Sequence, residues 1–162
     1  MRHWIRRSLA AGFAVFALLA AVDRAQAGDV TAFVTFPSPD DSWAHGYGAA
    51  LTTTLFGVTA LEAEAARVPL DTGEGTMTSF TGNALVSPPI GALIPYFGVG
   101  FGVYRQSVGP LSQTNAVGTF VAGAKLKIGI LVVRGDYRRL NLHGVPLLPM
   151  DKRLTVGAGI SF

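Results

Sequence analysis

The sequence predicts an all-β fold of eight antiparallel strands, wound up and down into one barrel. Three observations lead there. Eight stretches alternate between apolar and small or polar residues with a period of two, and successive side chains of a strand point to opposite faces. No stretch after the first thirty residues carries a convincing helical repeat. The composition is also unusual, with 20 glycines, 49% hydrophobic residues and only 14% charged ones, against ~25% charged in ordinary soluble domains.

The N-terminus is set aside first. "MRHWIRR" is a basic head, and "SLAAGFAVFALLAAV" is an apolar run of fifteen residues. "AQA", Ala25 to Ala27, has the A-x-A form of a cleavage site. The three together read as a signal peptide over 1–27, cut after Ala27, followed by one barrel domain over 28–162. An uncleaved anchor helix is the competing reading, but the run is short of the ~20 residues a spanning helix needs. Residues 1–27 hold four arginines against one aspartate, so the rest of the chain carries nine basic and nine acidic groups. The high isoelectric point therefore belongs to the export signal, and no nucleic-acid partner is expected. The absence of cysteine excludes a disulfide framework and thiolate metal sites.

The strands are expected at 29–36, 44–56, 58–68, 76–87, 93–105, 115–128, 130–142 and 152–162. The third, "VTALEAEAARV", is the weakest because alanine and glutamate favour helix. Yet Glu62 and Glu64 are two apart, as are Leu61, Ala63 and Ala65, and spacing of two gathers each set on one strand face. In the fifth, Phe97, Val99, Phe101 and Val103 oppose Tyr96, Gly98, Gly100, Gly102 and Tyr104. In the sixth, Phe120, Ala122, Ala124, Leu126 and Ile128 oppose Thr119, Val121, Gly123, Lys125 and Lys127. The last, "RLTVGAGISF", sets Leu154, Val156, Ala158, Ile160 and Phe162 against Arg153, Thr155, Gly157, Gly159 and Ser161. Connections alternate in length. Gly57, "PPIGA" and Gly129 are short, whereas "PSPDDSW", "PLDTGEG", "QSVGPLSQT" and "LHGVPLLPMD" are longer or more polar. Short turns on one side and longer loops on the other are the pattern of a membrane barrel.

Alternation alone does not say which face meets water. The polar faces hold glycine, serine and threonine more than lysine and glutamate, unlike a solvated surface. With the export signal and the long apolar faces, this favours a transmembrane β-barrel. A soluble periplasmic barrel holding an apolar ligand is the minority reading. Charge then fixes the register. Arg134, Asp136 and Arg138 share one face, and an arginine facing lipid near the midplane costs ~2–4 kcal/mol. This triplet is expected to point inward, with Glu62, Glu64, Lys125 and Lys127, as a lumen charge network of ion pairs. Arg139 falls on the lipid side near a loop, where the cost is ~0–1 kcal/mol. Trp43, Tyr47 and Tyr137 on one side, with Phe56 and Phe162 on the other, could form interface girdles.

The stretches "PYFGVGFGVYR" (95–105), "VRGDYRRLNL" (133–142) and "RLTVGAGISF" (153–162) resemble the small outer-membrane β-barrel family of OmpA-like and OmpX-like eight-stranded domains. That resemblance implies an outer-membrane location, membrane lipids and the outer-membrane assembly machinery as partners, and a monomer. It also implies that Val156, Ala158, Ile160 and Phe162 form the C-terminal insertion signal. No peptidoglycan-binding domain follows in the sequence.

Chemistry is sparse. Some barrels of this type are lipid-modifying enzymes, and a nucleophilic hydroxyl needs a base within hydrogen-bond reach. After residue 27 only His45 and His143 are available. Both read as loop histidines. "GVGFG" (98–102) is followed by no helix, so it reads as small inward side chains rather than a phosphate cradle. Asp40, Asp41, Asp71 and Glu74 read as solvated loop charge. No catalytic residue, cofactor or metal site is expected. The function expected is a non-enzymatic integral barrel with a structural or surface-interaction role, its outer loops free to meet an extracellular ligand. A small pore or a lipid-modifying enzyme is the alternative.

Overall fold

A computed structural model describes residues 27–38, 45–69, 75–88, 90–144, 147 and 150–162. The eight alternating stretches form β1 (Ala27–Ser38), β2 (Gly46–Leu55), β3 (Thr59–Pro69), β4 (Gly75–Val86), β5 (Leu93–Val108), β6 (Leu111–Ile128), β7 (Leu131–Leu142) and β8 (Lys152–Ser161). Each strand pairs antiparallel with the next, and β8 closes on β1. Of the cleavage motif only Ala27 is described; Ala25 and Gln26, Trp43 and the loop carboxylates Asp40, Asp41, Asp71 and Glu74 lie outside the described residues.

The register fixes the barrel's dimensions. Partners step from Gly28 to Thr53, Leu61, Ala84, Val99, Phe120, Arg139 and Lys152, and return to β1 at Ser38, ten residues further on. Eight strands with this stagger must tilt steeply, which leaves an interior just wide enough for side chains to fill. Closure reaches the last residue. The Gly28 amide donates to the Phe162 carbonyl at 2.8 Å, and the Phe162 amide donates back at 2.9 Å. The Phe162 ring lies over Gly28, where a Cβ would come within 2.6 Å of it.

"TALEAEAARV" is strand, as its spacing of two requires, against its helix propensity. One expected loop is not a loop. "QSVGPLSQT" continues the ladder, with Gln106 opposite Gln113, Ser107 opposite Ser112 and Val108 opposite Leu111. Only Gly109 and Pro110 turn the chain, Gly109 at φ 54°. A left-handed glycine makes so tight a reversal possible without steric cost. At the opposite, lower end, which holds Ala27 and Phe162, the turn 56–58 uses Phe56 at φ 51° and Gly57 at φ 77°.

The interior is layered. At the upper end Val68, Met77, Tyr104, Val117 and Leu140 pack together. Met150, from the connection between β7 and β8, joins them. Tyr104 donates to the His143 carbonyl at 3.0 Å, and the Leu147 amide donates to Gln106 at 2.8 Å. That connection therefore tucks residues into the barrel mouth. Lower down, Phe33, Ala50 and Ala66 form one small cluster, and Ala60, Leu85, Tyr96 and Val121 another. Charged groups occupy the space between.

Candidate functional site in the barrel interior

β7 shows how the strands aim their side chains. Val132, Arg134, Asp136, Arg138 and Leu140 are buried, while Leu131, Val133, Gly135, Tyr137 and Arg139 are exposed. The charged triplet thus enters the lumen, and β3 supplies Glu62 and Glu64 on its own buried face. Arg134 Nη1 meets Glu62 Oε2 at 2.8 Å, and its Nε and Nη2 donate to Asp136 Oδ2 at 2.9 and 2.7 Å. Arg138 reaches Glu62 Oε1 at 2.8 Å and Asp136 Oδ1 at 2.7 Å. Arg138 Nη1 also lies 2.8 Å from Glu64 Oε2, close enough to pair but without hydrogen-bond alignment. Forked guanidinium groups suit such shared carboxylates.

Two members were not among the residues expected. Arg153 of β8 donates to Glu64 Oε1 at 3.0 Å and to Ser79 at 3.2 Å. Asp29 of β1 receives Lys125 Nζ at 2.8 Å, while Thr52 accepts from the same ammonium at 2.8 Å. With them the interior balances: Lys125, Arg134, Arg138 and Arg153 against Asp29, Glu62, Glu64 and Asp136. The residues expected from sequence set four cations, Lys125, Lys127, Arg134 and Arg138, against three anions, Glu62, Glu64 and Asp136. With Asp29 and Arg153 added and Lys127 outside the ion pairs, that excess disappears. Arg153 sits on the small polar face of the last strand, so its alternation carried the signal. Asp29 is the first polar residue of β1, and only its register beside Thr52 points it at Lys125.

Neutral groups complete the layer. Tyr96 donates to Asp136 Oδ2 at 2.7 Å, and both Lys125 and Arg134 lie 5.5 Å from its ring centre. Asn83 donates to Glu62 at 3.2 Å and accepts from the Thr119 hydroxyl. Lys127 stands apart from the ion pairs. It is half-buried at the lower rim, where with Asp29, Lys125 and Ser161 it lines a cavity of about 70 Å³. A second, of about 40 Å³, lies beside Thr52, Tyr96 and Lys125. Each has room for a few waters at most. Val156, Ala158, Ile160 and Phe162 all face outward and are exposed. The same holds for Tyr47, Phe56 and Tyr137, whereas Tyr96 and Tyr104 are buried.

No protein-family model and no curated sequence matches the chain. Solved structures do. Neisserial surface protein A is 14% identical with a TM-score of 0.62, over 83% of this chain and 93% of that one. The N-terminal β-barrel domain of Pseudomonas aeruginosa OprF is 18% identical with a TM-score of 0.61, over 85% and 98%. The chain has the fold of the small eight-stranded outer-membrane barrels. The outer membrane enzyme PagL is also similar, at 17% identity and a TM-score of 0.50 over 83% and 98%, so this fold serves enzymes as well as non-enzymes.

Proposed function

We propose that the protein is an integral outer-membrane barrel without a catalytic site, acting as a structural or surface-interacting element with a closed lumen. One observation carries this reading, the inversion of inside and outside. The interior holds eight paired charges, whereas the exterior is a nearly continuous apolar sheet. Val30, Phe80, Phe97, Val99, Phe101, Phe120, Val133 and Val156 are each between 44% and 81% exposed. In water so large an apolar surface would drive association, but against hydrocarbon it is the favourable arrangement. The exposed aromatics near the ends, Tyr47 and Tyr137 above and Phe56 and Phe162 below, suit the two interfaces.

Closure of the lumen rests on the ion-paired middle layer and the apolar cluster above it. Residues 1–27 act as a cleaved signal. Cutting after Ala27 leaves Gly28 as the first residue, still bonded to Phe162. The C-terminal Val156, Ala158, Ile160 and Phe162 serve recognition by the assembly machinery, and the folded protein works as a monomer. Neither histidine serves as a catalytic base. The His45 ring meets Phe36 edge-on at 5.3 Å, and His143 offers Tyr104 a backbone carbonyl.

Membrane fractionation with heat-shift electrophoresis tests the location. The protein should need detergent for extraction and should migrate differently before and after boiling. Release in a soluble fraction would refute it. Planar-bilayer recordings test closure, and steady large channels would favour the pore reading.

A further inference from the structure

Among the described strand residues, the outward face carries charge of one sign only. Arg67, Arg105, Arg139 and Lys152 are exposed, while Asp29, Glu62, Glu64 and Asp136 all turn into the lumen. The four cations sit towards the upper ends of β3, β5, β7 and β8, above the widest part of the apolar sheet. Arg139 and Lys152 are register partners on neighbouring strands. Like charges directly opposite on one face repel, and none of the described carboxylates pairs with either of them. Beside the pair a cleft of about 580 Å³ opens, lined by Phe120, Arg139, Asn141, Leu142 and Asp151. Immediately below, Tyr137 and Leu154 are register partners on the same outward face.

We propose that Arg139, Lys152 and this cleft form a seat for one phosphorylated glycolipid of the outer leaflet. A phosphate between the two side chains would remove their repulsion, accepting from the guanidinium fork and from the ammonium together. Asn141 and the Asp151 carboxylate at the cleft edge are suited to sugar hydroxyls. Phe120, Tyr137 and Leu154 offer an apolar surface where acyl chains would descend. That surface is why the ligand is a lipid and not free phosphate, for which an aromatic and aliphatic floor has no use. The inference rests on the membrane location proposed above.

The test uses the full barrel in phosphatidylcholine nanodiscs, doped with lipid A bearing both phosphates or with its dephosphorylated form. Native mass spectrometry reads the retained lipid. The parent should retain the phosphorylated form about ten-fold more tightly than the other, the scale of one charge-assisted contact set. The double variant Arg139→Gln with Lys152→Gln should lose that preference, and Arg67→Gln with Arg105→Gln should keep most of it. Equal retention of the two lipids by the parent, or an unchanged preference in the first double variant, overturns the proposal. So does full competition by millimolar inorganic phosphate, which would mark a free-anion site. Heat-shift electrophoresis of each protein reports insertion separately. An inserted barrel lacking the preference defeats this inference alone, whereas a parent that fails to insert defeats the location. If the double variant does not fold, Lys152→Gln alone should still reduce the preference several-fold, and no reduction overturns the proposal.

Discussion

Glu62 accepts from Arg134, Arg138 and Asn83 at once. Its side chain is fully buried, so its charge has no water to replace lost partners. Leaving a charge uncompensated in a dry interior typically costs ~3–5 kcal/mol. Glu62→Gln keeps the shape and removes the charge, and it should lower the unfolding free energy by about 3 kcal/mol in urea titrations in lipid vesicles. Adding Arg138→Met should cost less than the sum of the two single changes, because Arg138 keeps Asp136 and Glu64 as partners but the lumen is left with one excess positive charge, which the second change removes. Lys127→Ala, at the rim and outside the ion pairs, should stay within about 0.5 kcal/mol. Near-zero and additive effects would instead indicate a hydrated lumen, where a pair is worth ~0–1 kcal/mol. At this scale the sequence was legible where charges recur two apart in mid-strand, as in Glu62–Glu64 and Arg134–Asp136–Arg138. Asp29 escaped because it stands near the start of its strand, where a charge reads equally well as rim, and only the cross-barrel register distinguishes rim from lumen. Arg153 stands equally near the start of β8, but there the strand's own alternation already assigns it to the inward face.

β5 shows the same logic in a whole element. Gly98, Gly100 and Gly102 occupy its inward face, as their alternation with Phe97, Val99, Phe101 and Val103 implies. The reason becomes visible in the packing, for a Cβ on Gly100 would lie 2.8 Å from the Asn83 Cα. Asn83 in turn links Glu62 to Thr119. Gly100→Val should therefore push β4 and β5 apart and destabilise by about 1–3 kcal/mol, the usual cost of overpacking. Gly82→Ala, where an added Cβ meets nothing within 4 Å, should be neutral or slightly stabilising in the same titration. Equal effects at the two positions would contradict the close packing at β5. The upper half of this hairpin was not legible. "QSVGPLSQT" is polar and holds a Gly-Pro pair, so its residues carry loop chemistry. Pairing with an already aligned partner strand overrides that weak local preference.

The barrel as a whole is held by its closure, and β8 completes it. Phe162, which follows the strand's last residue Ser161, exchanges two backbone hydrogen bonds with Gly28 and covers that glycine with its ring. Deleting Phe162 should reduce the heat-modifiable protein in the outer membrane and leave aggregated or degraded chain in the periplasm. Normal levels of folded protein under weak and strong expression would remove Phe162 from assembly. Strand number, order and the facing of each strand were legible from period-two alternation, because one slip of register would turn arginines towards hydrocarbon. The cap of Met150 and the surrounding connection was not legible, since a loop follows no repeat. Lipid contact by the outer face is the claim on which the rest depends, and the chain's lack of cysteine makes it directly measurable. Single cysteines at the outward positions Val99, Phe120, Val133 and Val156 would each carry one nitroxide label, on the barrel reconstituted in vesicles. Collision with oxygen, which partitions into lipid, should be high at all four, and collision with a water-soluble nickel chelate low. High nickel and low oxygen accessibility at these sites would contradict a membrane-spanning barrel.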